Sequence, residues 1–192
     1  PLEYTKGFSP HPRMAVAAPL AVGVTSDAEL MDVWLRKWIP PQSAMMMVRR
    51  ELPVGFTVSD VWEVPSGAPA LQASLRTAQY RCVAEHPAGV DVARGTVDAF
   101  LQAASVIHSF ARKDEIRSVD LRPLVHSVAV QPGDDSCCRV ELEVSIGQEG
   151  SARPDHVLEV LGFTLPAVSI QRVALGFGWP EEEQSSALGQ RP

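Results

Sequence analysis

Apolar and polar positions alternate most strictly in "RVELEVSI", where Val140, Leu142, Val144 and Ile146 are separated by Glu141, Glu143 and Ser145. That period of two predicts a strand in a sheet with one buried and one wet face. "LVHSVAV" precedes it, and the intervening "QPGDDS" has turn chemistry, so the two runs are expected to form an antiparallel hairpin. In "GSARPDHVLEVLGF", Pro154 suits a first helical position and Asp155 complements the helix dipole. Val157, Leu158 and Leu161 then share a face, and Gly162 closes the end of a short helix. "AVSIQRVALGF" reads as a final strand.

Upstream, "RTAQYRCVAEH" reads as a strand, and "GTVDAFLQAASVIHSF" puts Val97, Phe100, Leu101 and Ala104 at helical spacing. From Thr77 to Phe177 the order is therefore β-α-β-β-α-β, a ferredoxin-like α+β arrangement with helices on one face of an antiparallel sheet. The first third repeats the second half of that order. "HPRMAVAAPLAVGV" and "AELMDVWLRKWI" read as extended runs, "PPQSAMMMVRREL" as a helix and "GFTVSDVWEV" as a strand. Met45, Val48 and Leu52 are expected on that helix's buried face, and Trp34, Trp38 and Trp62 in strands.

Two tandem ferredoxin-like units follow, the first lacking its leading strand and helix, which makes an N-terminal truncation the simplest expectation. The expected divisions are a partial domain over 1–66, a linker over 67–76, a complete domain over 77–178 and a disordered acidic tail over 179–192.

Composition narrows the function classes. The 192 residues are 45% hydrophobic and 21% charged, as in a soluble globular protein. No run has the length and apolarity of a membrane span or a secretory leader, so no membrane partner is expected and a cytoplasmic home is the default. A net charge of −6 argues against a protein coated in nucleic acid, although Glu181, Glu182 and Glu183 carry part of it in the tail. Cys82, Cys137 and Cys138 lack metal-type spacing and read as packed, reduced thiols.

Two polar stretches stand out. In "YTKGFSPHPRM", Gly7 permits unusual dihedrals while Pro10 and Pro12 restrict the backbone around His11. A rigid ledge presenting Lys6, His11 and Arg13 beside Tyr4 and Phe8 would suit a phosphate-bearing or aromatic ligand. The alternative is a structural bulge or turn between strands, with Phe8 packed and His11 bonded to backbone.

In "FARKDEIRSVDLRPLV", a strand would set Ser118, Asp120 and Arg122 opposite Val119 and Leu121, with Arg112, Lys113 and Arg117 in or beside the preceding loop. That cluster is either a self-paired solvated surface or an anion and RNA-backbone contact. Ser151 and Arg153 lie near a helix start, where capping or anion binding is possible. No nucleophile elbow or zinc-type histidine pair occurs, so no catalytic residue is assigned, although a site assembled from distant residues is left open.

Taken together, "LEYTKGFSPHPRMAVAAPLAVGV", "APALQASL", "RKDEIRSVDLRPLV" and "GSARPDHVLEVLG" resemble the bacterial radical SAM-linked domain family of unknown function, over nearly the whole chain to about Gly178. In that family the segment equivalent to Pro1 follows a strand and a helix with a His-Leu-Asp-Leu type motif. The resemblance implies a radical SAM partner, fused or separate, and its RNA-processing neighbours make structured RNA the substrate guess.

The three cysteines do not form the C-x3-C-x2-C run that holds an open iron–sulfur cluster. The cluster and S-adenosylmethionine are therefore expected only on the partner, with no cofactor in this chain. The leading expectation is a non-catalytic accessory domain that recognises structured RNA for a radical SAM enzyme through the Lys6–Arg13 ledge and the Arg112–Arg122 strand. The alternative is a scaffold that docks that enzyme without touching substrate.

Overall fold

The computed structural model describes residues 2–65, 67–113, 115–147 and 150–178. In chain order the first elements are β1 (Met14–Val16), β2 (Val24–Ser26), β3 (Met31–Val33), α1 (Pro41–Glu51) and α2 (Leu71–Ser74). The rest are β4 (Leu75–Glu85), α3 (Val90–Gln102), β5 (Ile107–Arg112), β6 (Glu115–Asp120), β7 (Val125–Pro132), β8 (Cys137–Ser145), α4 (Pro154–Val160) and β9 (Ser169–Phe177). Two compact units result. The first contains the chain up to Ala17 together with Met31–Ser74, and the second contains Ala18–Leu30 and Leu75–Phe177.

The second unit is a five-stranded mixed sheet in the order β2-β9-β4-β8-β7, with β2 parallel to β9 and the other neighbours antiparallel. The β-α-β-β-α-β order expected from Thr77 to Phe177 is present, with an additional hairpin, β5–β6, between α3 and β7. Strict alternation drives the core. Ala78, Tyr80, Cys82 and Ala84 of β4 stand opposite Val144, Leu142, Val140 and Cys138 of β8, and all are buried. Ala93, Val97 and Phe100 of α3 and Val157 and Leu158 of α4 join the same cluster, so both helices serve one sheet face.

The opposite face is polar and balanced in sign, with Arg81 paired to Glu141 and Gln79 to Glu143 across the strands. In α4, Pro154 takes the first position as expected, and Gly162 ends the helix at φ +83°, its N–H donating to Glu159 O.

The hairpin corrects the expected helix. α3 stops at Gln102, where the Ala103 N–H donates to Ala99 O and Phe100 O, and Ala104 lies exposed beyond the end. The following run changes to strand chemistry at Val106 and Ile107, and Leu121 N–H closes the hairpin base on Val106 O at 2.8 Å.

In the first unit, β1 and β3 pair antiparallel, and the N-terminal segment bridges both arms through Leu2–Leu35 and Tyr4–Pro12. A second ferredoxin-like sheet is not confirmed. "GFTVSDVWEV" is not a strand, because its alternation breaks at Ser59 and Asp60, and Arg49 takes the Val58 carbonyl with Nε at 2.9 Å. Trp38 and Trp62 consequently lie outside strands, and Trp34 follows β3 directly.

α1 forms where expected but buries none of its side chains. Met45 and Leu52 are half-buried and Val48 is exposed, which corrects the expected buried face. Part of the expected linker is regular, since Leu71–Ser74 form α2 and Leu75 and Arg76 belong to β4. The expected acidic tail lies outside the described residues, and among those described no helix is long and apolar enough to cross a membrane.

Candidate functional site

The "YTKGFSPHPRM" stretch is a hairpin-like loop of the first unit. Thr5 N–H donates to His11 O at 2.8 Å and His11 N–H donates back to Thr5 Oγ1 at 3.0 Å, closing the loop over Lys6–Pro10. Gly7 and Pro10 lie in the tip, and Pro12 faces Tyr4 at its base. The two prolines withhold N–H donors, which leaves this exposed edge unable to extend a ladder with a neighbour. The stretch does turn here, but the bonds at His11 run through its own backbone and leave its side chain exposed, and Phe8 is fully exposed rather than packed.

Arg13 and Tyr4 are engaged within the unit. Arg13 Nη1 lies 3.0 Å from Glu3 Oε1, and its guanidinium carbon stacks 4.7 Å from the Trp34 ring centre. Arg36 stands 5.6 Å from the centre of the Tyr4 ring. Lys6, Phe8 and His11 are exposed at or beside the tip, together with Ser9 and Pro10. Sequence reasoning missed Glu3 and Arg36. The available signal was the spacing of two in Trp34 and Arg36, which places both on one side of an extended run.

The second candidate cluster divides. Arg122 is structural, with Nε donating to Leu101 O at 3.1 Å and Nη1 to Val125 O at 3.0 Å. Asp120 accepts from Val106 N–H at 2.8 Å and Arg122 N–H at 3.1 Å. Backbone donation from Val106 and a hydrogen bond from Ser105 hold its carboxyl below the ordinary range. Arg117 pairs with Glu115 at 3.3 Å, and Lys113 sits at the hairpin tip with φ +54°. The Arg112 side chain lies outside the described positions, while its backbone pairs with Glu115.

Arg153 donates to Asp155 through Nε and Nη2, to Oδ1 at 3.0 Å and to Oδ2 at 2.5 Å. Burial opposes ionisation of Asp155, but the bond and charge of Arg153 outweigh it and lower the carboxyl's pKa; Arg153 is raised in turn. Ser151 supplies no cap to α4. Its Oγ instead accepts from Gly147 N–H at 3.0 Å.

Two further groupings escaped the sequence reading. His108 of β5 stacks on Phe110 and lies 4.4 Å, ring centre to ring centre, from His156 of α4; Phe110 and His156 are 4.6 Å apart. Arg172, fully buried on β9, binds Glu29 and the Ala18 carbonyl. Neither has a sequence signal, because each joins residues far apart in the chain. Cys82 and Cys138 are buried in the core and Cys137 is half-buried, all three as free thiols. Among the described residues, no group of three or more His, Cys, Asp or Glu is disposed to hold a metal ion.

One bacterial family, described as "Uncharacterized protein conserved in bacteria (DUF2344)", has a model that matches residues 1–154 of this chain. No curated protein matches it.

Proposed function

The chain belongs to the DUF2344 family, and for this member we propose a non-catalytic accessory role in which the first unit docks a protein partner, a radical SAM enzyme. The observation that carries this reading is the uncovered apolar surface of that unit. Phe8, Met14, Met31, Val33, Trp38, Met46, Met47 and Phe56 are all exposed, while Ala17 and Leu71 are its buried hydrophobic residues among those described. Side chains of that size left in water favour association, and flexible methionines adapt to a partner's surface. The radical SAM identity of the partner rests on the family resemblance carried by the "YTKGFSPHPRM" and "RKDEIRSVDLRPLV" stretches. The iron–sulfur cluster and S-adenosylmethionine belong to that partner in this reading, and the setting is cytoplasmic. The second unit serves as a ferredoxin-like scaffold.

A second reading keeps structured RNA as the substrate recognised for that enzyme. It is favoured by the loop tip, where fully exposed Phe8 stands in sequence between Lys6 and His11, a stacking surface with a cation beside it. It is weakened by Arg13, Arg117, Arg122 and Arg153, whose guanidiniums are already occupied within the chain.

Calorimetric titration of the full chain with the radical SAM enzyme, and separately with cellular RNA, at about 0.05 and 0.5 M salt distinguishes the readings. Enzyme binding that persists at high salt and is lost in Met46→Glu/Met47→Glu supports docking. RNA binding that collapses with salt and is lost in Phe8→Ser/Lys6→Ser supports the second reading. Binding of neither overturns both.

A further inference from the structure

The β5–β6 hairpin forms a separate two-stranded sheet in the second unit. Its outward side, with Ile107, Ser109, Ala111, Ile116 and Ser118, is exposed. On its inner side, His108 is buried, yet its Nε2 has no hydrogen-bond partner. That nitrogen lies 3.7 Å from Glu159 Oε2, a distance at which protonation creates an ion pair. The His156 ring lies 4.4 Å from that of His108, and Phe110 stands 5.9 Å from His108 and 4.6 Å from His156, so the three rings form one cluster.

We propose that this hairpin is a proton-released arm: the His108–His156 pair clasps it to α4 while carrying at most one proton, and a second proton frees it. The charges around the pair are unequal to two cations. From α4, Glu159 is the available carboxylate, because Asp155 already binds Arg153 with both oxygens. From β6, Val119 and Arg117 stand opposite His108 and Phe110, and Arg117 is itself cationic and paired with Glu115. One proton is thus compensated by Glu159, whereas two place like charges in adjacent, partly desolvated rings.

Burial pushes the His156 imidazole below its ordinary range, with His108 and Arg153 adding to the effect against the pull of Asp155 and Glu159. The base of the arm is fixed independently. Asp120 holds the Val106 and Arg122 amides, and Leu121 N–H holds Val106 O. Release therefore pivots the ribbon at its base and leaves the core sheet intact.

Hydrogen exchange of the full chain, read by mass spectrometry at about pH 7.5 and 5.0 and corrected for intrinsic rates, tests this. Peptides over 107–120 are expected to lose protection by about tenfold or more at the lower pH, while β4 and β8 keep theirs. The His156→Phe and His156→Gln variants, each with one imidazole left in the clasp, are expected to hold the hairpin equally at both pH values. Equal wild-type protection at both pH values, joint loss in hairpin and core strands, or an unchanged pH response in both variants would each overturn the proposal.

Discussion

Arg172 and Glu29 are 143 positions apart and form a bidentate ion pair, with Arg172 Nη2 at 2.6 and 2.7 Å from the two carboxylate oxygens and Nε at 2.9 Å. The guanidinium is almost wholly buried and also donates to Ala18 O at 2.8 Å. The contacts fasten both ends of the Ala18–Leu30 segment to β9, on either side of the parallel β2 pairing. Tyr80 lies beside the pair, where burial raises its phenol pKa against the opposing influence of Arg172.

Removing one partner of this pair is expected to cost more than replacing the cation by an apolar chain. Glu29→Ala strands a buried guanidinium and should lower stability by about 3 kcal/mol. Arg172→Met leaves a half-exposed carboxylate that can hydrate, so its loss should be smaller. Urea denaturation of both variants checks the order, and a larger loss for Arg172→Met would contradict it.

Asp155 supplies a pH signature with a defined sign. Its carboxyl is depressed in the folded chain, so the native state holds its proton less tightly than the unfolded state does. The contribution is present above the ordinary carboxylate pKa and disappears as pH falls through the depressed folded value. Because Arg153 is largely exposed, the gain is about 0.5 kcal/mol. Asp155→Asn should lower the urea midpoint at pH 6 and converge with wild type near pH 2.

The thiols should differ sharply in reactivity. Burial pushes Cys82 up to about 12, and burial with the neighbouring Cys137 raises Cys138 against the influence of Arg94. Maleimide labelling of the native chain near pH 7.5 is expected to modify Cys137 first, with Cys82 and Cys138 reacting only after denaturation. Peptide mass spectrometry resolves Cys82 from the adjacent pair, and fragmentation separates Cys137 from Cys138.

Gly147 has φ +134°, and a Cβ there would meet the Leu75 carbonyl oxygen at 2.6 Å. The obstacle is backbone, which cannot swing aside as a side chain can. Gly147→Ala should therefore cost about 2 kcal/mol or more in stability, from strain and collision together. Thermal denaturation measures it, and a neutral result would show that the loop after β8 can shift.

Amino-acid order by itself determined the regular parts of the second unit. The alternation of Val140, Leu142 and Val144 with Glu141 and Glu143 specifies a half-buried strand, and Pro154 and Gly162 bracket a helix, because these signals act between neighbours in the chain. They also placed α1 correctly, yet an amphipathic stripe shows which side could be buried and not whether anything covers it. The first unit's expected sheet depended on covering that stripe, and "GFTVSDVWEV", with its alternation broken at Ser59 and Asp60, did not supply a strand for it.

The candidate site divides in the same way. The polar, proline-stiffened Lys6–Arg13 tip was visible as a local pattern, whereas the engagement of Arg13 by Glu3 and Trp34 was not. Only the tertiary structure brought His108 to His156, Arg122 to Leu101 O and Arg172 to Glu29. Those contacts depend on which strands become neighbours, as β2 does with β9, and strand order is a property of the whole folded sheet. A lone buried arginine or histidine carries no periodic signature, so its partner becomes legible only when the chain has folded back upon it.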